Sequence, residues 1–375
     1  MSKYRRQITG AVVITVFVAG LSWSAPQGIK TLGIGDKAPD FCLPGVDGRM
    51  YRLRDFAGAE TLVIVFTCNH CPTAQAYEER IKKLTADYRN KGVALVAISP
   101  NDPKAVRLDE LGYSDMGDSF DDMRIRAKDM EYNFPYLYDG ENQKVSIAYG
   151  PARTPHVFIF DKQRRLRYEG GIDDAEKPEL VKSRDARNAI EALLKGRKVP
   201  AERTKTIGCS IKWSDKRESA RQSVATWAQE SVAVEMIDAK AVGELAKNDS
   251  GKLRVINVWA SWSGPSAEQL AEFMTANRMY RRREFEMITI SADSPSRKSS
   301  VLSLLKKQQV SCRNFLFDSQ DQYLLMTALD KDLLGGVPYT ILIKPGGEVI
   351  YRRLGTIDPL ELKKAIVGYL GRYYK

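Results

Sequence analysis

Two cysteines, Cys68 and Cys71, stand two residues apart in the run FTCNHCP at residues 66–72. A dithiol at this spacing can close a disulfide with little strain, and opening or closing that bond transfers an electron pair. Upstream, TLVIVFT at 61–67 is an unbroken β-branched and apolar run, the pattern of a strand buried on both faces. Downstream, Ala74, Tyr77, Ile81, Leu84 and Tyr88 recur at helical spacing. The pair therefore stands where a strand ends and a helix begins. A helix N-terminus presents free N–H groups and the positive end of its dipole, which stabilise a thiolate and lower a cysteine's pKa. On this reading Cys68, at the strand end, is the attacking thiolate and Cys71, one turn in, the resolving thiol. Asn69 and His70 lie between them. An imidazolium at His70 favours the Cys68 thiolate, and so favours the dithiol and raises the reduction potential. The plainer reading of His70 is an exposed residue that caps the turn.

Other chemistries fit less well. A structural zinc site needs four ligands, and the chain holds two histidines, His70 and His156, with no second cysteine pair. No metal is expected. Haem attachment requires C-x-x-C-H, and Pro72 follows Cys71. No phosphate-binding glycine loop or flavin fingerprint appears, so no cofactor is expected and electrons come from another thiol protein. A purely structural Cys68–Cys71 disulfide, in a non-catalytic scaffold, is the rival from a different class. Three further cysteines, Cys42, Cys209 and Cys312, make an odd total of five, so at least one thiol is left over. Cys42 reads as small apolar filler in a hairpin, and Cys312 as a buried strand residue. Cys209, in GCSIKW, is a candidate third thiol that relays with Cys68 or Cys71.

The elements that must position this pair occur twice. In the first half, residues 36–60 read as a hairpin, 61–67 as a strand, 71–91 as a helix and GVALVAISP as a second buried strand. A helix around SFDDMRIRAKDM, the strand in GPARTPHVFIFD, an edge strand at RLRYEGG and a closing helix over KPELVKSRDARNAIEALLKG complete it. The second half repeats the order with RVINVWAS, the helix PSAEQLAEFMTANRMY, FEMITISAD, a hairpin of GGVPYTILIKP and EVIYRRLG, and a helix capped by Asp358 with Pro359 at its first position. Where the first half has its cysteines, WASWSGPS places Ser263 and Ser266, which cannot carry electrons. The expected organisation is residues 31–213, a linker helix at 214–230, and residues 231–375. Ahead of these, MSKYRR and the uncharged apolar run at 8–23 fit a signal peptide within residues 1–25, with an uncleaved membrane tether as the alternative. Export to a periplasmic or other extracytoplasmic space, which permits disulfides, is expected. The net charge of +11 is scattered through stretches such as KKLTADYRNK and MYRRREF, with no aromatic-interleaved basic tract, so no nucleic-acid partner is expected.

GDKAPDFCLPGVDG, FTCNHCPTAQAYEERI, NFPYLYD, YGPARTPHVFIFD and GCSIKW together resemble the peroxiredoxin-like (AhpC/TSA, redoxin) group of thioredoxin-like proteins, over about residues 31–213. NVWASWSGPS, ITISADSP and GGVPYTILI resemble a TlpA/ResA-type thioredoxin domain without its cysteines, over about residues 231–375. The resemblance implies an α/β fold of two tandem thioredoxin-like domains, each a central mixed β-sheet flanked by helices. It implies cis-prolines at Pro155 and Pro338 and thiol–disulfide or antioxidant chemistry in the first domain only. A cis Thr154–Pro155 bond is expected to leave the backbone of Thr154 free to pair with an extended substrate, so the partners are protein thiols or disulfides and an unidentified redox protein. Thiol peroxidase activity is the alternative. It is weakened because the peroxiredoxin pattern P-x-x-x-T-x-x-C would need proline at Ile64 and threonine at Cys68. Arg153 either stands in for the peroxide-positioning arginine or is a surface residue beside Pro155. The second domain is expected to be a binding or support module.

Overall fold

In a computed structural model describing residues 28–332 and 335–374, the repeated element order builds two separate mixed sheets. The first runs, in spatial order, Tyr136–Tyr138, Val93–Ser99, Thr61–Phe66, His156–Phe160 and Leu166–Gly170. The first three of these strands are parallel, and His156–Phe160 is antiparallel to both its neighbours. Every residue of Thr61–Phe66 is buried, because side chains alternate between two packed faces. Val63 and Val65 enter a core with Tyr77, Ile81, Leu84 and Tyr88 of the helix Pro72–Tyr88. Leu62, Ile64 and Phe66 enter the opposite core with Phe41, Leu43, Tyr149 and Phe158. Each such side chain contributes about 1.5–3 kcal/mol by leaving water, which holds the strand end, and so Cys68, in a fixed place.

The second sheet has the order Glu235–Ile237, Arg313–Phe317, Phe285–Ser291, Leu253–Trp259, Tyr339–Ile343 and Val349–Leu354, with the last two strands antiparallel to their neighbours. Leu253–Trp259 sits where Thr61–Phe66 does in the first, and it is likewise buried along its whole length. The stretch between the halves is helical over Arg217–Trp227. Asp358 caps the last helix by accepting from the backbone N–H of Leu360 and Glu361.

Several expectations need correction. The closing helix of the first half spans only Asp185–Leu194, with an isolated turn at Pro178–Leu180, because Val181 after that turn is extended and ends it before the helix begins. The helix after Ser263 is two pieces, Gly264–Glu268 and Leu270–Tyr280. Cys42 is exposed, not core filler; it lies in the hairpin Cys42–Pro44/Met50–Arg52 and accepts a hydrogen bond from Arg52 Nε at 3.5 Å. Cys312 is half-buried and precedes its strand rather than lying in it. The segment 1–25, expected to be a signal peptide or tether, lies outside the described residues. Among the described residues no helix is long and apolar enough to cross a membrane.

The two halves meet at the loop 107–118 of the first. Leu111 joins the core of the second sheet, with Val106 and Leu108 packed against it. Tyr280 Oη donates to Ser114 O at 2.7 Å, and Arg283 Nη1 to Gly112 O at 2.8 Å. Arg372, beyond the last helix, makes paired hydrogen bonds of 2.7 and 2.8 Å to the buried carboxylate of Asp115. A planar guanidinium suits such bidentate contact.

Candidate active site

Cys71 is the N-cap of the helix Pro72–Tyr88, with Pro72 at the first helical position, where a missing N–H breaks no bond. Its Sγ accepts from Ala74 N at 3.4 Å and lies 3.5 Å from Thr154 O. Cys68 Sγ lies 3.2 Å from Thr154 Oγ1. Both thiols are shut away from water, Cys68 at 2% exposure and Cys71 at 0%. The Thr154–Pro155 and Val337–Pro338 bonds are cis.

Thr154 does not have the free backbone expected of it. Arg153–Thr154 pairs antiparallel with Cys209–Ser210, with Thr154 opposite Cys209. The chain's own segment therefore fills the edge beside Pro155. Cys209 packs against the cluster of Cys68, Cys71 and Ala74. The backbone approach is close: a Cβ on Gly208, whose φ is +155°, would lie 2.1 Å from Thr154 O. Arg153 Nη1 donates to Gly208 O at 3.0 Å, so this arginine clamps the added strand. Gly208→Ala is expected to cost about 1–3 kcal/mol through backbone strain and to pull Cys209 from its partners. Faster alkylation of Cys209 with a lower melting temperature would show this; an unchanged alkylation rate would mean the strand tolerates the shift.

The expectation that Cys68 carries the negative charge is also reversed. Burial pushes Cys71 up, but hydrogen bonds from Cys209 and Cys68, the charge of His70 and the Ala74 N–H outweigh it and hold Cys71 well below the usual thiol range. Cys68 is pushed well up by burial, by donating to Cys71 and by the nearby Asp118 carboxylate. Cys209 is raised by its hydrogen bond to Cys71 and then by burial.

His70 is buried rather than exposed, and its partner is a residue that spacing did not reveal. Asp118 Oδ1 accepts from the backbone N–H of Asn69 at 2.9 Å and of His70 at 3.2 Å. Its Oδ2 takes His70 Nδ1 at 2.5 Å and Asn101 Nδ2 at 2.7 Å. Burial lowers the pKa of His70, but the charge and hydrogen bond of Asp118 raise it overall. Burial raises Asp118, and His70, Asn101 and the Asn69 N–H bring it below the usual carboxylate range. Asn69 is fixed further by donating to Gly117 O at 2.9 Å and accepting from Tyr136 Oη at 3.2 Å. Asp118 thus locks the turn between the cysteines. No sequence pattern links it to the pair; a carboxylate just before the capped helix Phe120–Asp129 was the only local hint. Ligand atoms of Cys68, His70 and Asp118 lie within 4.8 Å of one another, as a metal would require. Both Asp118 oxygens are already engaged with donors and Cys68 Sγ faces Thr154 Oγ1, so as arranged His70 and Asp118 form a hydrogen-bonded pair with Cys68 beside it.

Tyr374 was missed as well. Its ring meets Tyr113 edge-on at 4.8 Å, and burial and the neighbouring Cys209 raise the pKa of its hydroxyl. The second half thus reaches the cysteine cluster of the first. Its own counterpart site is sulfur-free: Ser266 Oγ donates to Ser263 Oγ at 2.9 Å, with Ser263 half-exposed and capping the helix Gly264–Glu268. Among the described residues no strand pairs with the chain just before Pro338 as Cys209–Ser210 does at Thr154. The double variant Ser263→Cys, Ser266→Cys is expected to close a disulfide in oxidised glutathione, read by peptide mapping. Failure to close would show that the frame has lost the geometry as well as the sulfur.

The AhpC/TSA family profile matches residues 34–169. The chain is 24% identical over 171 residues to a protein named thiol-disulfide oxidoreductase ResA from Geobacillus thermodenitrificans, covering 44% of this chain and 88% of that one. Among solved structures, an uncharacterized conserved protein from Geobacillus kaustophilus is 40% identical, covering 48% of this chain and 93% of that chain, with a TM-score of 0.44. A hypothetical protein from Sinorhizobium meliloti is 36% identical, covering 49% and 97%, also with a TM-score of 0.44. The expected fold class, two thioredoxin-like α/β units with mixed sheets flanked by helices, is borne out. The AhpC/TSA match thus spans the stretch that carries Cys68, Cys71 and Pro155.

Proposed function

We propose that this chain is an exported thiol–disulfide oxidoreductase that exchanges disulfides with protein thiols through Cys68 and Cys71. The observation that carries the reading is that Cys71 caps the N-terminus of the helix Pro72–Tyr88, its Sγ accepting from Ala74 N, in one buried cluster with Cys68. A thiolate stabilised there is both a nucleophile and a good leaving group, as exchange requires. The similarity to proteins named thiol-disulfide oxidoreductase supports the same activity. Exchange is favoured over peroxide reduction because Arg153 is spent on Gly208 O and the peroxiredoxin threonine is replaced by Cys68. Export rests on the basic start and apolar run at 8–23; N-terminal sequencing of the secreted or membrane fraction tests it.

The second half acts as a support module. It grips the loop 107–118, which carries Asp118, through Tyr280, Arg283 and Arg372. Titration in glutathione redox buffers, with free thiols trapped by alkylation and weighed, tests the activity. A reversible oxidation of Cys68 and Cys71 is expected, with both thiols surviving minutes in micromolar hydrogen peroxide. A pair that stays oxidised across all glutathione ratios would be a structural disulfide, and the activity would be withdrawn.

A further inference from the structure

Three thiols, not two, meet at this site. Cys209 packs against the cluster of Cys68, Cys71 and Ala74, and lies opposite Thr154 in the strand pair. It is also the outermost: Cys68 and Cys71 are buried, whereas Cys209 is half-exposed. An incoming protein cannot pair with the backbone of Thr154 while Cys209–Ser210 occupies it. The segment sits where an extended substrate would sit, with its sulfur against the reactive pair.

We propose that Cys209 is a third redox thiol, an internal substrate that takes the disulfide from Cys68–Cys71 and presents it to external protein thiols. The proposal rests on the oxidoreductase reading above. In the first step the Cys209 thiolate attacks Cys71 Sγ of the Cys68–Cys71 disulfide. The Cys71–Cys209 bond forms, the Cys68–Cys71 bond breaks, and Cys68 leaves as a thiolate that takes up the proton Cys209 gave. No electrons leave the protein. In the second step the thiolate of an external protein dithiol attacks Sγ of Cys209, the least buried of the three residues. A mixed disulfide forms at Cys209, and Cys71 leaves as the thiolate that Ala74 N–H and His70 stabilise. The partner's second thiol then closes its own disulfide and releases Cys209. The partner is oxidised and this chain reduced; a protein disulfide restores Cys68–Cys71. Run backwards, the same steps reduce a partner. A leaving thiol of low pKa departs faster, so the site directs attack to Cys209 rather than to Cys71.

The full chain, reduced and then treated with oxidised glutathione, is quenched in acid, alkylated and mapped by peptide mass. Wild type is expected to show both Cys68–Cys71 and Cys71–Cys209 disulfides, and Cys68→Ser to accumulate Cys71–Cys209, with no bond to Cys42 or Cys312. Cys209→Ser is expected to form Cys68–Cys71 as wild type does, yet to oxidise a reduced protein dithiol at least tenfold more slowly. Circular dichroism of Cys209→Ser and Cys209→Ala checks folding, and the Cys68→Ser trap reads the same bond without altering Cys209. If Cys71–Cys209 never appears and Cys209→Ser exchanges at the wild-type rate, the relay is overturned and the oxidoreductase stands. If neither disulfide forms at any glutathione ratio, both fall.

Discussion

Cys71→Ser slows disulfide exchange with a protein substrate by roughly 10⁴-fold or more, the scale of losing a catalytic nucleophile. A serine hydroxyl does not ionise at neutral pH and closes no disulfide. The placement of the charge gives the sharper readout. In the reduced protein the ultraviolet absorbance of a thiolate is expected at neutral pH in wild type and to vanish in Cys71→Ser. In Cys68→Ala it is expected to persist but titrate at higher pH, because one of the donors that lower Cys71 is gone. If instead the signal survives Cys71→Ser and is lost in Cys68→Ala, the anion sits on Cys68, as the position of that residue at the strand end suggests.

Asp118→Ala is expected to destabilise the protein by about 3–5 kcal/mol, the cost of breaking a buried charged pair by removing one partner. Two backbone N–H groups, His70 Nδ1 and the Asn101 amide lose their acceptor together. Asp118→Asn keeps an acceptor for the turn and should lose less. The pair also sets a pH window. Asp118 is lowered from 3.8, so its contribution is present above that value and is lost as pH falls through its folded pKa. His70 is raised from 6.5, so its contribution is complete below that value and fades as pH rises through its folded pKa. Denaturant unfolding of wild type minus that of Asp118→Asn should therefore show the largest difference between those two limits. A difference that does not change from acid to alkaline pH would mean that His70 and Asp118 do not form an ion pair.

Much of this architecture was legible in local pattern. The continuous apolar run of Thr61–Phe66 marked a strand covered on both faces, and the spacing of Tyr77, Ile81, Leu84 and Tyr88 marked the inner face of the helix after it. Together they placed Cys71 at a helix N-terminus, because a side chain's neighbours within a turn or a strand decide such things. The repeat of that order, with Ser263 and Ser266 in place of sulfur, left the closely spaced cysteine pair to the first half. Tertiary structure alone decided the electrostatics. Asp118 reaches His70 from a loop, Cys209 reaches Cys71 by pairing at Thr154, and Tyr374 reaches Cys209 from the other half. None of these contacts has a periodicity, since a strand edge or a buried donor accepts whichever distant segment the packing of two cores delivers to it. The sequence by itself therefore determined where a dithiol would stand. The folded chain decided which sulfur holds the charge and which one faces outward, because burial and donors gathered from far along the chain set both.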